Sequence, residues 1–494
     1  MTIRHILVGS ASALALLAGT AHAQDSAPSN APPSGAVQPG VGDTGGSEDD
    51  VVVTGIRGAL RASIDAKRSS SVIADIVSAE DIGKFPDKNV AEALQRVPGI
   101  VINRTFGEGE RVSLRGTAPN LTKTLVNGHS IATADWFIED QLAATRSFNY
   151  LTLPAEIVGQ LDVYKSPQAD VEEGGIGGTI NVRTRHPLDL KSGTISASLQ
   201  GVYSERSDKF DPQGSGLVSW KNEAETFGVL IGGVYQKRRI RRDGVEVLGY
   251  FDVPVGGQTV KAPSLIGSAL FEQERERYGG NVELQFKPSD QIEIVATGLY
   301  SRFNAGNFNR NYMAWGSNAI GGGGTLTNAG IQDGIVTSGT ITSTPGGRAV
   351  VYDAIYRDAL AETWSADLDT VWTPSDSDTV HLKAGYTRAK GDTRNQPFYE
   401  GGAPGSFTFD FTDGRVPEVS FTGVDPNNPD DLAFDFASFH RIGNRDKEKY
   451  VYADWEHATE LGPVSAIKVG AKFTDHDRVT RFLATTYGGF FLPL

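Results

Sequence analysis

Asn281-Val282-Glu283-Leu284-Gln285-Phe286, then Lys287-Pro288-Ser289-Asp290, then Gln291-Ile292-Glu293-Ile294-Val295-Ala296-Thr297-Gly298-Leu299-Tyr300, is the stretch that decides the fold. Both flanks alternate apolar and polar residues with the period of two that places one face of a strand against an apolar surrounding. The four residues between them are a short polar turn, so the pair reads as a hairpin. The design recurs in Ser365 to Trp372, a turn over Thr373 to Asp378, and Thr379 to Tyr386. Tyr450 to Trp455 and Ala466 to Phe473 form a third pair, and Thr194 to Tyr203 alternates in the same way.

Aromatic residues recur at the ends of these strands, as interfacial girdles require. The connections also alternate in length. Short turns join the named pairs, whereas other links are long and rich in Gly, Asn and Asp; the largest is expected from about Asn304 to Ala361. Short turns at one end and long loops at the other are the asymmetry of an antiparallel transmembrane β-barrel. A β-sandwich with long loops is the competing reading of the same alternation.

The chain ahead of the barrel divides into distinct textures. Arg4 and His5 precede a mostly apolar, small-residue run from Ile6 to Ala18, and Ala21-His22-Ala23 has the small-x-small pattern of a cleavage site. Residues 1–23 therefore read as a signal peptide. Pro28, Pro32, Pro33 and Pro39 lie among Gly, Ser and Ala in residues 24–49, which lack the apolar surface to offset ordering and read as a flexible tether. Asp50-Val51-Val52-Val53-Thr54-Gly55 follows, a short β-branched run with no evident pairing neighbour. It reads either as a strand offered to another protein or as the first strand of the unit behind it.

Residues 56–187 read as a mixed α/β unit. Val90, Ala93, Leu94 and Val97 share one helical face, Asp87 or Asn89 can cap the start, and Pro98-Gly99 ends it. Ile100 to Ile102, Val112 to Leu114, Thr124 to Val126, Leu161 to Tyr164 and Thr179 to Arg183 read as short strands, with Asn127-Gly128 a tight turn. The glycines of Gly174 to Gly178 lack the pattern of a phosphate loop and read as a tight turn.

Composition narrows the function classes. A net charge of -14 argues against general nucleic-acid binding, and the absence of cysteine removes disulfides and thiolate sites. No apolar run beyond the signal peptide is long enough for a spanning helix. The histidines are scattered and no H-E-x-x-H or G-x-S-x-G occurs, so no catalytic residues, cofactor or metal site are expected. Asp475-His476-Asp477 lies inside an alternating strand and reads as a polar wall patch.

Several stretches resemble TonB-dependent outer-membrane receptors. Asp50, Val51, Val52, Val53 and Thr54 resemble the TonB box. Lys84-Phe85-Pro86-Asp87-Lys88-Asn89-Val90-Ala91-Glu92-Ala93-Leu94-Gln95-Arg96-Val97-Pro98-Gly99, Ser113-Leu114-Arg115-Gly116 and Val163-Tyr164-Lys165-Ser166-Pro167 resemble the plug domain. The wording from Lys84 to Gly99 is similar to receptors of Caulobacter- and Xanthomonas-like bacteria, a group associated with carbohydrate uptake. The resemblance implies a plug inside a barrel of about twenty-two strands, an outer-membrane location after export through the periplasm, and TonB, outer-membrane lipid and a small ligand as partners. Residues 188–494 suffice for about ten to twelve strands with their loops, so the expectation is the N-terminal part of a longer receptor.

The implied activity is energy-coupled uptake of an oligosaccharide, with a siderophore or other metal chelate as the alternative. A signal-transducing receptor is disfavoured, because residues 24–49 are too few for a folded signalling domain. A passive porin is disfavoured by the plug-like unit. Phe106, Glu108, Asp135, Trp136, Phe137, Glu139 and Asp140 are the ligand-binding candidates, since rings stack on sugar faces and carboxylates accept from hydroxyls. Packing of Trp136 and Phe137 against the barrel wall is the competing reading. Arg115 is expected to pair with a plug or barrel carboxylate in a gating role.

Overall fold

The computed structural model describes residues 63–64, 67–68, 70, 72–78, 88–105, 107–135, 147–412 and 416–488. The signal peptide, the tether and the stretch Asp50 to Gly55 lie outside the described residues. The N-terminal unit contains β1 (Ala74–Ser78), β2 (Ile100–Thr105), β3 (Glu108–Leu114), β4 (Thr122–Val126), β5 (His129–Ser130), β6 (Val158–Tyr164) and β7 (Gly178–Thr184). Five of these strands form a sheet in the order β1-β6-β7-β4-β5, with β4 and β7 parallel, and β2 pairs with β3 as a separate ribbon.

Helix α1 (Val90–Leu94) is shorter than the expected run to Val97. Asn89 caps it, its side chain accepting from the Glu92 amide. Val90, Ala93, Leu94 and Val97 still face one core together with Leu114, Tyr150, Leu161, Ile180 and Val182. The Asn127-Gly128 turn has both residues at positive φ, 50° and 81°, the geometry of a type I′ hairpin.

A sheet of nine strands follows: β8 (Thr194–Ser204), β9 (Lys209–Lys221), β10 (Phe227–Val247), β13 (Leu265–Ser289), β14 (Ile292–Trp315), β17 (Val350–Trp372), β18 (Asp378–Ala403), β21 (Ala433–Leu461) and β22 (Val464–Gly488). Neighbours are antiparallel throughout, and the three expected hairpins appear as β13–β14, β17–β18 and β21–β22. β8 and β22 are its two edges, so the sheet is open.

Among the described residues nine strands of the large sheet and six shorter ones outside it take up this length, against the expected ten to twelve. In the large sheet the strands from β10 onward run 21 to 29 residues, about twice or more the length of a bilayer crossing. They continue well past any membrane, and the extra residues were counted as further strands.

Alternate residues of the sheet face the N-terminal unit. The opposite face carries rings at three levels. The row nearest the short turns contains Phe286, Trp372 and Trp455, and the next contains Tyr278, Tyr300, Trp364 and Tyr386. Between them Val282, Leu284, Leu368 and Leu382 are exposed. A third row, Tyr312, Tyr352, Tyr399 and Phe434, lies far up the strands.

The long connections build a second sheet. β11 (Tyr250–Val255) and β12 (Gln258–Pro263) link β10 to β13; β15 (Thr325–Gln332) and β16 (Ile335–Thr342) link β14 to β17; β19 (Ser406–Asp410) and β20 (Glu418–Thr422) link β18 to β21. Phe407, Phe409, Ile341, Val336 and Val260 form its core. The expected loop from Asn304 to Ala361 is therefore mostly strand: β14 ends at Trp315, β17 starts at Val350, and a hairpin and helix α2 (Gly316–Gly321) fill the interval. Its Gly- and Thr-rich composition hides the alternation, because few apolar residues reach the small core: Val336 and Ile341 of β16 are buried and Leu326 of β15 is half-buried.

Candidate functional site

The N-terminal unit is seated against the concave face of the large sheet through a buried charge cluster. Glu108, at the start of β3, receives Arg275 Nη1 at 2.8 Å and also Nη2 of Arg277. All three side chains are within 4% of complete burial. Arg275 and Arg277 occupy alternate positions of β13, so both point inward, and the Phe303 ring lies beneath them at 5.7 and 5.2 Å. Arg277 also donates to the Leu151 carbonyl at 2.6 Å, the Lys88 carbonyl at 3.1 Å and Gln236. Asn89 adds a donor to Glu108 at 3.2 Å, tying the α1 cap to the same cluster. Burial alone would raise the Glu108 carboxyl, but the guanidinium charges of Arg277 and Arg275 hold it well below the usual range.

This placement corrects the reading of Glu108 as a ligand contact: its oxygens are committed to the sheet. Arg115, given the gating role, is exposed at φ 56°, and no ion pair to a carboxylate is found for it among the described residues. Phe106, Trp136, Phe137, Glu139 and Asp140 lie outside the described residues.

A second set of contacts holds residues 127–135 along β18 and β21. Lys383, Thr387 and Gly391 recur every fourth residue on the inner face of β18. Lys383 donates to the Asn127 carbonyl at 3.2 Å, and Thr387 Oγ1 accepts from the Ala132 amide at 3.0 Å. A side chain at Gly391 would collide with the Asp135 backbone, so glycine permits the approach. The Thr133 amide donates to Asp446 at 3.1 Å, and Asn444 donates to the Asp135 carbonyl at 2.8 Å. Nearby, His129 meets Asp367 at 3.1 Å and stacks on Tyr450. Glu172 accepts from Lys123 at 2.5 Å, Lys472 at 2.7 Å and Tyr452 at 2.9 Å.

Asp135 is packed into this seam with Arg111 at 3.5 Å. Burial, opposed by Arg111 and reinforced by Glu110, pushes its carboxyl from 3.8 up to about 6. The folded state thus holds a proton that the unfolded chain has released. The associated stability is full below pH 3.8 and is lost as pH rises through about 6. Asp135→Asn is expected to abolish that slope, worth roughly 3 kcal/mol across the window. Urea melts of both proteins from pH 4 to 7 check it, and parallel pH profiles would contradict it.

Residues 66–179 match the family model described as TonB-dependent Receptor Plug Domain. This segment is a plug domain. One curated relative of the chain is the vitamin B12 transporter BtuB of Vibrio cholerae serotype O1, 28% identical over 138 residues, which is 27% of this chain and 21% of the relative. The chain spans about a fifth of the length of the curated relatives it matches.

Among solved structures, the siderophore receptor PiuA of Acinetobacter baumannii aligns with 84% of this chain and 62% of its own, at 12% identity and a TM-score of 0.31. The ferric preacinetobactin receptor BauA of the same organism aligns at 15% identity and a TM-score of 0.32, over 82% of this chain and 61% of its own.

Beyond the plug domain, the inward face of the large sheet continues as a polar wall that the sequence reading did not single out. Arg357 donates to Gln396 and Asn307, each at 3.1 Å, and Gln396 lies 3.4 Å from His440. Asp353 pairs in register with Glu400 on one side and Asn311 on the other. Burial, then the adjoining Glu400 charge, pushes the Asp353 carboxyl well up. The available signal was the alternation itself, which runs on past the second aromatic row with amides and charges at the inward positions. His476, expected in a polar wall patch, bonds Asp446 at 2.5 Å, and the described residues hold no cluster of three or more metal-ligating side chains.

Proposed function

We propose that this chain is the plug and part of the wall of a receptor that imports a small solute across the outer membrane, driven by TonB. The observation that carries this reading is a plug domain locked by a buried charge cluster to the concave face of a long antiparallel sheet. The first two aromatic rows mark the bilayer. They stand about eight residues apart, roughly 20 Å along the normal for strands tilted near 40°, which suits the apolar band of an outer-membrane barrel. Unpaired edges are not tolerated in hydrocarbon, so further strands close the sheet between β8 and β22. Asp50 to Thr54 act as the TonB box, residues 24–49 as its tether and residues 56–187 as the plug.

The ligand in this reading is an oligosaccharide of the kind handled by the Caulobacter- and Xanthomonas-type group. Amides, an arginine and a carboxyl pair on the wall above the plug give mixed donors and acceptors with little net charge, which suits hydroxyl groups. Trp136, Phe137, Glu139 and Asp140 remain candidate contacts from the plug side. A metal chelate is the second reading, favoured by the vitamin B12 transporter among the relatives. Calorimetry on the full receptor in nanodiscs, with neutral oligosaccharides, cyanocobalamin and ferric hydroxamates as probes, separates the two. Saturable heat with a saccharide alone is expected; binding of a chelate alone overturns the carbohydrate reading.

A further inference from the structure

The geometry points to a second saccharide site, on the outer face of the sheet, where a soluble neutral oligosaccharide chain lies across the third aromatic row before reaching the lumen. The inference rests on the membrane placement above and deepens the carbohydrate reading. Tyr312, Tyr352, Tyr399 and Phe434 belong to four successive strands, with centroids 4.6, 6.4 and 5.9 Å apart. Tyr399 and Phe434 are 40% and 53% exposed. The bilayer does not account for this row. Tyr312 follows Tyr300 by about twelve residues on β14, which places it roughly 30 Å beyond the second girdle at the tilt of such strands. Lipid chains and headgroups end well short of that height.

Exposed rings away from lipid mark a contact surface. Their spacing is on the scale of one pyranose ring, and neighbouring rings are inclined to each other by 40°, 58° and 42°, so they present differently angled faces to successive sugars. The row also ends in a cavity of about 640 Å³, a volume suited to a small ligand. Tyr312, Tyr352 and Pro417 line it, and Asp243, Ser268 and Arg310 supply polar groups. Arg310 reaches Glu272 at 3.5 Å and lies over Phe308, yet its Nε is buried without a hydrogen-bond partner. An unpaired donor beside the inclined Tyr312 and Tyr352 rings is what a sugar hydroxyl would satisfy. Lumen-facing residues play no part, because Asp243, Leu270, Arg310 and Ala354 are in register on the face opposite Arg275 and Arg277.

The test uses the full receptor in nanodiscs and saturation-transfer NMR with a panel of neutral tetrasaccharides (maltotetraose, cellotetraose, xylotetraose and chitotetraose). At least one probe is expected to bind. Tyr352→Ala and Tyr399→Ala should each weaken it about three- to tenfold, whereas Tyr352→Phe stays within about twofold. Tyr352→Phe also reports that the site is folded. Absence of binding by every probe, or unchanged affinity in both alanine variants, overturns the outer site. In the latter case Gln396→Ala, on the lumen wall, locates the saccharide there and leaves the uptake reading intact. Binding of lipopolysaccharide alone also overturns the soluble-chain assignment. Conversely, if the ring variants lose saccharide while cells import only a chelate, the outer site stands and the carbohydrate-uptake reading falls.

Discussion

Glu108→Ala is expected to unseat the plug domain. The substitution leaves Arg275 and Arg277 buried with no carboxylate between them, and breaking a buried ion group from one side typically costs about 3–5 kcal/mol. The loss falls on the plug–sheet seam: the carboxylate bridge to both arginines goes and Asn89 loses its bond to Glu108, while the Arg277 bonds to the Lys88 and Leu151 carbonyls remain. The measurements are thermal unfolding of the purified receptor and entry of a bulky antibiotic such as vancomycin into cells that express it. A lower unfolding midpoint together with raised permeability is expected. A triple variant, Glu108→Leu with Arg275→Met and Arg277→Met, removes all three charges and should regain much of the stability. Equal midpoints and equal permeability for Glu108→Ala and the parent would show that the cluster does not hold the plug.

Val52→Pro is expected to abolish energy-coupled uptake while ligand binding is retained. Pairing through the backbone depends on amide donors, and proline removes one, whereas Val52→Ala keeps the donor and loses only side-chain contact. Uptake of labelled ligand by whole cells, alongside calorimetry on purified receptor, distinguishes the two. Equal transport by both variants would contradict strand addition as the coupling step. Because Asp50 to Thr54 lie outside the described residues, this prediction stands on the sequence alone.

The hairpins of the large sheet were legible because one face meets an apolar surrounding, and alternation then survives for whole strands, as from Asn281 to Tyr300. The plug domain was legible for a different reason: cap, turn and short strands follow one another in a fixed order from Asn89 to Arg183. Strand ends were not legible. Past Tyr300 the outward positions of β14 turn mixed, with Arg302, Asn304, Gly306, Phe308 and Arg310, so the apolar–polar contrast fades well before the strand ends at Trp315.

Glu108 was misread for another reason. Phe106-Gly107-Glu108-Gly109-Glu110 has the composition of a solvent loop, and the partners of Glu108 lie 167 and 169 residues away. No local pattern announces them. The hint was on the other strand: Arg275 and Arg277, two inward-facing cations beside the girdle residue Tyr278, need a buried counter-charge.

β1 is an edge strand whose sheet pairing, five register pairs, is to β6 alone, with Asp75 also bound to Lys165 and Lys67. Under a pull from its N-terminal side, those pairs bear the load nearly one at a time, beginning with Ala74 and Tyr164. Further along the chain, beside the α1 cap, Glu108 and two arginines share several bonds between the plug and the wall. The chain is thus a series of links of unequal strength. Modest tension acts first on β1, and the braced contacts between the plug and the wall yield last.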